Sequence, residues 1–213
     1  MAAAGTVFCL STLSSLTPAE VAALLNLPEV PIAGIMPAAH SPLRAAARLP
    51  PATRIVLFQG RLGPGLGLET AAEAVLAVPD AALVLLGFGR GVDASRGRDR
   101  DPRYAGRHVT LPSRHPDELL AWTVGADVAL IPLPASSVNQ RLSTPNKFWE
   151  AIAAGTPVVV VRGLEVMERL VREYDARFHS TADGALDDRQ ARVEARGAAI
   201  RSGRFPGTRL NHR

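Results

Sequence analysis

The chain has 213 residues, room for one ordinary domain of about 150 residues with further material at its ends. Apolar residues make up 47% and charged residues 21%, which suits a water-soluble core, and no apolar run approaches the roughly 18 to 20 residues of a membrane span. The lone Cys9 excludes a disulfide framework or a cysteine zinc site, the five histidines show no ligand spacing, and a pI of about 10.1 raises nucleic acid as a partner to weigh.

In chain order, the opening "MAAAGTVFCLSTLSSL" has no basic residue ahead of its apolar patch. It is not read as a secretory leader, and a cytoplasmic chain is the default expectation. "TPAE" follows as a capping box, with Thr17 as N-cap, Pro18 at N1 and Glu20 at N3. "LPEVPIAGIMPAAHSP" is Pro-punctuated linker.

From residue 54 to 175 the pattern alternates. "RIVLFQG" is a short apolar run ending in glycine, as a buried parallel strand should be. "GLETAAEAVLAVPD" has the helical spacing of Leu68, Ala71, Ala72, Val75 and Leu76 before a Pro79-Asp80 stop. "AALVLLGFG" is the second strand. "GRGVDASRGRDRDPRYAGR" is laced with Asp93, Asp99 and Asp101 and reads as a solvated loop. Neither it nor the basic tail from Arg177 carries the aromatics that stack on bases, so nucleic acid is not expected. Then come the strand "HVTLP", a helix in "HPDELLAWTVGA", the strand "DVALIPL", a helix over 145–154, the strand "PVVVV" and a helix in "LEVMERLVREY". Strands apolar on both faces alternating with amphipathic helices predict an α/β fold, a parallel sheet with helices on both faces. Ligands in such folds sit beyond the carboxyl ends of the strands, in the turns after Gly60, Gly87, Leu111, Leu133 and Val161.

Lys147 is the only lysine among 24 basic residues. It falls in "STPNK", read as a helix start with Ser143 or Thr144 as N-cap and Pro145 at N1. A cation opposes the helix dipole there, whereas a diphosphate suits both the free N–H groups and the ammonium. Glu150, three residues on, shares its face and can accept from two vicinal hydroxyls of a ribose. For the lysine alone, an exposed Lys beside an exposed Glu explains the pair equally well. Pro145 and the following "AAGTPVVVV" favour the ligand.

At these residues the chain resembles the C-terminal, nucleotide-sugar-binding half of a GT-B retaining glycosyltransferase, of the glycosyl transferases group 1 type. "LFQGRL", "LVLLGFG", "ELLAWTVGADVALIPL" and "STPNKFWEAIAAGTPVVV" carry the resemblance as an ordered set over roughly 130 residues. It implies a Rossmann-like domain over 51–176, whereas the residues on either side read by themselves as a helix and Pro-rich linker in 1–50 and a basic, mobile tail with little apolar period in 177–213. It implies donor diphosphate contacts from Gly60, Arg61, Gly67, Thr144, Asn146 and Lys147, and a ribose contact from Glu150. Base contact is expected from the backbone near Ser113 and Arg114. The donor would be a nucleotide-diphosphate sugar, with no cofactor and no metal, because cationic groups and a helix N-terminus stabilise the leaving diphosphate.

Three features depart from the pattern of that group. Leu66 stands where it usually has a cation, unless Arg141 or Arg114 reaches in, and Leu142 stands where many relatives have a second glutamate. Residues 1–50 are too few for the acceptor domain, and neither His40 nor another histidine matches its catalytic one. No catalytic residue is therefore assigned. A second Rossmann-like chain supplying the acceptor side is one expectation. A non-catalytic nucleotide-sugar-binding module or a truncated relative is another. A dinucleotide oxidoreductase rests only on "GFGRG", which misses the G-x-G-x-x-G spacing and follows the second strand.

Overall fold

A computed structural model of the chain describes residues 40–173. The capping box at Thr17 and the tail from Arg177 lie outside the described residues. Five strands form one sheet: β1 (Arg54–Arg61), β2 (Ala81–Phe88), β3 (His108–Pro112), β4 (Val128–Ile131) and β5 (Val158–Val160). Their spatial order is β3-β2-β1-β4-β5 and every pairing is parallel. The connecting helices are α1 (Pro42–Ala47), α2 (Leu68–Leu76), α3 (Val92–Asp99), α4 (Pro116–Thr123), α5 (Val138–Leu142), α6 (Asn146–Ala153) and α7 (Glu165–Glu173). The expected Rossmann-like parallel sheet with helices on both faces is what the chain builds.

The two faces follow from the two-residue period of a strand. On one face Ile55 and Leu57 of β1, with Val84 and Leu86 of β2, pack against Leu43 of α1 and Trp122 of α4. On the other, Phe58, Leu83 and Leu85 pack with Leu68, Ala72 and Val75 of α2 and with Tyr104. A third cluster joins Ile131 of β4 and Val158 of β5 to Phe148 and Ile152 of α6 and Met167 of α7.

The core begins earlier than the expected boundary at residue 51. Leu43 is fully buried, and Arg44 Nη1 donates to the carbonyls of Pro50 and Thr53, both at 2.7 Å. The segment read as linker therefore ends in a helix of the domain itself, capped by the Ser41 hydroxyl. The charged segment after β2 also differs from the solvated loop expected of it. It forms α3 and a 3-10 turn (Pro102–Tyr104). The reason is local: one Asp99 oxygen meets His108 Nδ1 at 2.7 Å and the Thr110 hydroxyl at 3.0 Å, while the other accepts from the Thr110 N–H at 3.1 Å. Three partners fold the aspartate inward and bind the end of α3 to β3.

The strand order places the functional end. From β1 the chain crosses toward β2, whereas from β4 it crosses toward β5. The two connections part company between β1 and β4, and such a switch point opens a crevice at the carboxyl ends of the two strands.

Candidate functional site

Two glycine-started turns and one helix N-terminus meet at that crevice. Gly60, the last residue but one of β1, has φ +116°, and a Cβ there would lie 3.3 Å from Lys147 Nζ. α2 starts from Gly67, φ +74°, where a Cβ would overlap the Pro132 carbonyl just after β4. Glycine at 67 thus has a packing reason of its own, independent of any ligand. The glycines of "GFGRG" are explained in the same way. A Cβ on Gly89 would lie 2.8 Å from the Leu62 carbonyl oxygen, and one on Gly91 2.8 Å from the Gly63 nitrogen. They let one turn lie on the other.

α6 starts one residue later than its sequence suggests. Pro145 is itself the cap residue, with φ −67° and ψ 151°, and the first helical residue is Asn146. Ser143, expected as a cap, instead donates its hydroxyl to the Gln140 carbonyl at 3.2 Å, closing α5, a helix the sequence reading missed. α6 consequently has no side-chain cap, whereas α1, α4 and α5 have one each. The Phe148 N–H donates to the Pro145 carbonyl at 2.9 Å, and no side chain caps the N–H groups of Asn146 and Lys147 ahead of it, the arrangement that receives an anion. Thr144 lies half-buried just ahead of it and Asn146 is exposed at its first position.

Lys147 and Glu150 are not a solvated surface pair. The Lys147 ammonium lies 3.9 Å from the centroid of the Phe58 ring, beside Gly60. Burial holds its pKa down at about 8, the Glu150 carboxylate pulls it back up, and the Arg61 charge pushes it lower. Glu150 is half-buried, and burial raises its pKa against the lowering effects of Gln59 and Lys147. Among the described residues no ion pair closes between the two. Gln59, almost fully buried, donates from Nε2 to Glu150 Oε2. Behind it, the Thr123 hydroxyl meets Gln59 Oε1 at 2.8 Å, and the Thr156 hydroxyl donates to the Thr123 carbonyl at 3.0 Å.

Sequence reasoning missed Gln59, Phe58, Thr123 and Thr156. The signal for Gln59 was present, as the one polar side chain inside the apolar run "RIVLFQG"; a lone polar group in a two-sided buried strand must find a partner. Thr123 and Thr156 carry no local signal, because their roles depend on which elements the fold brings beside β1.

The arginines divide. Arg61, exposed at the end of β1, is the one whose charge bears on Lys147. Arg141 and Arg114 do not supply the cation missing at Leu66. Arg141 pairs with Glu165 of α7 at 3.8 Å, and the Arg114 guanidinium lies 4.1 Å over the Trp122 ring. Leu66 itself is half-buried against the α2 core. Ser113 and Arg114 follow β3, two strand spacings from β1, or roughly 10 Å along the same edge. Among the described residues no group of three or more His, Cys, Asp or Glu side chains could hold a metal ion, and no helix is long and apolar enough to cross a membrane.

With fold and crevice in view, the comparisons fall into place. The profile of the glycosyl transferases group 1 family matches residues 53–187, more than half of the chain, and the protein belongs to that family. A relative of established function, D-inositol 3-phosphate glycosyltransferase of Mycolicibacterium gilvum (strain PYR-GCK), is 33% identical over 150 residues. That alignment covers 67% of this chain and 32% of the relative, so the chain matches about a third of that protein's length. Among solved structures, sucrose-phosphate synthase from Thermosynechococcus elongatus is similar at 23% identity and a TM-score of 0.46, over 86% of this chain and 44% of that one. AviGT4, a glycosyltransferase involved in avilamycin A biosynthesis, is similar at 22% identity and a TM-score of 0.48, over 82% and 51%.

Proposed function

We propose that this chain binds a nucleotide-diphosphate sugar in the β1/β4 crevice and serves transfer of the sugar to an acceptor. The observation that carries the reading is the half-buried Lys147 ammonium at the uncapped start of α6, with the Glu150 carboxylate one turn along. A cation held on an aromatic ring at the positive end of a helix is poorly placed until an anion arrives. A diphosphate would meet Lys147, Arg61 and the first-turn N–H groups around Thr144 and Asn146, passing close over Gly60. The ribose would then lie by Glu150, and the base would extend toward the Ser113–Arg114 turn.

In transfer, the bond between the anomeric carbon and the diphosphate oxygen breaks, and negative charge grows on the leaving nucleoside diphosphate. The ammonium, the guanidinium and the helix N-terminus stabilise that charge without a metal ion. The acceptor side would come from a further Rossmann-like domain or partner chain facing the carboxyl ends of the strands.

Calorimetric titration with UDP, GDP, ADP and dTDP in EDTA tests the donor site. One of them is expected to bind saturably, and Lys147→Ala to weaken it at least tenfold, the size of a lost charged hydrogen bond. Failure of all four on a folded chain sinks the reading.

A second reading, a module that holds the nucleotide sugar without transfer, is favoured by one observation. Leu66 lies half-buried against the α2 core where a second cation would otherwise aid the leaving group, and Arg114 and Arg141 are engaged elsewhere. Chromatographic detection of free nucleoside diphosphate separates the two. Slow release from the bound donor supports transfer chemistry, and a donor that stays intact even when the acceptor-side domain or partner chain is supplied supports the module.

A further inference from the structure

Gln59 is an unusual occupant of its position. It lies on β1 next to Gly60, is 5% exposed, and sits in a strand whose other buried residues are apolar. Its amide is committed at both ends. Oε1 faces the Thr123 hydroxyl at 2.8 Å and Nε2 faces Glu150 Oε2. Thr123 is itself fully buried on α4, its hydroxyl also lies 2.7 Å from the Leu119 carbonyl, and its own carbonyl accepts from Thr156, the residue just after the α6 turn. The chain Thr156–Thr123–Gln59–Glu150 therefore ties α4, β1 and α6 together beneath the crevice.

The chemistry of the amide fixes its direction. A carboxylate only accepts, so the NH2 group of Gln59 must face an ionised Glu150, and Oε1 then shares the single Thr123 hydroxyl proton with the Leu119 carbonyl. Were the amide reversed, two acceptors would oppose each other in a dry site. Unlike a lysine or histidine in that place, an amide offers its proton at every pH. It occupies one oxygen of Glu150 and leaves Oε1 with no hydrogen bond among the described residues. That free oxygen is what a ligand's hydroxyl groups can reach.

Resting on the nucleotide-sugar reading above, we propose that Gln59 is a positioning residue: held by Thr123 and Thr156, it fixes the Glu150 carboxylate as a charged, single-angle acceptor for the ribose hydroxyls. It thereby sets a preference for ribonucleotides over 2′-deoxyribonucleotides. Burial works against the charged carboxylate and the Gln59 hydrogen bond works for it. Without the bond, the charged acceptor would give way to the protonated acid at a higher pH.

The test uses the full chain and two variants. Gln59→Met keeps the volume and unbranched shape but loses the donor. Thr123→Val keeps the shape of Thr123 but frees the Gln59 amide to turn. Affinities are measured for UDP, GDP and ADP and for their 2′-deoxy counterparts between pH 5 and 8. The wild-type chain is expected to prefer the ribonucleotide by about tenfold, the value of a hydrogen bond to a charged group, with the preference growing as pH rises through the Glu150 titration. Gln59→Met is expected to cut the preference to under about threefold while leaving the 2′-deoxynucleotide affinity in place, again on the scale of that one bond. Thr123→Val should fall between the two. A purely structural Gln59 would lower stability and leave the ratio and its pH profile unmoved, and that result would overturn the proposal.

Carbon-13 NMR titration of the Glu150 carboxyl in the ligand-free chain separates this inference from the function it rests on. An upward move of its pKa in Gln59→Met supports the positioning role, and an unchanged pKa overturns it. If the wild-type chain binds no nucleotide at all, the nucleotide reading falls and the ribose role with it. The carboxyl titration still decides whether Gln59 holds Glu150.

Discussion

A single lysine carries opposing demands at the residue scale. Its ammonium is taken largely out of water, set over the Phe58 ring and pushed by Arg61, with a pKa near 8 against an ordinary 10.5. A depression of that size corresponds to roughly 3 kcal/mol opposing the charged form at neutral pH. The ring contact, worth about 1–2 kcal/mol when desolvated, offsets part of it. The unfolded chain binds more protons than the folded one between about pH 8 and 10.5, so this group makes stability rise with pH across that window. Lys147→Met is therefore expected to be more stable than wild type by about 1 kcal/mol at pH 7, with the gain narrowing toward pH 9.5 in urea melts. A variant less stable than wild type at pH 7 would show that Lys147 supports the fold rather than a ligand. Lys147 and Glu150 were legible in the sequence because three-residue spacing on a helix declares a shared face. Their burial was not legible, since it depends on Phe58 and Gln59 arriving from β1.

Elements differ in how much of their cause is local. β1, β2 and β5 were readable as continuous apolar runs, and α2 as a 3.6-residue pattern ending at Pro79-Asp80. α3 was hidden because "VDASRGRD" has almost no apolar stripe; its end is held by the Asp99 bonds to His108 and Thr110, nine and eleven residues away. α1 was hidden behind prolines, although Leu43 is fully buried and Ser41 donates to the Trp122 carbonyl at 3.3 Å. Leu43→Ala should cost about 3 kcal/mol, as for a buried leucine removed from a packed core. A linker residue would change stability by less than about 0.5 kcal/mol, so urea denaturation of the one variant decides whether α1 belongs to the domain.

For the whole molecule, the sheet order explains why the site stands where it does. The β1/β4 divergence opens the crevice, Gly67 lets the turn before α2 close onto Pro132, and α6 brings an uncapped N-terminus to the same edge. Membership of the glycosyl transferases group 1 family was readable from four blocks in the right order, each weak alone. What the acceptor is was not readable, because the chain matches only 32% of the length of the inositol-phosphate glycosyltransferase. A nucleoside diphosphate seated against Lys147 would change the number of protons that the site holds. Calorimetry at pH 8.5, in two buffers of different ionisation enthalpy, reads the protons taken up on binding. Lys147 is mostly neutral there in the free chain, and a bound diphosphate would restore its charge. The wild-type chain is expected to take up most of one proton per ligand and Lys147→Met none. Binding with equal heats in both buffers would place the ligand away from Lys147 and contradict this expectation.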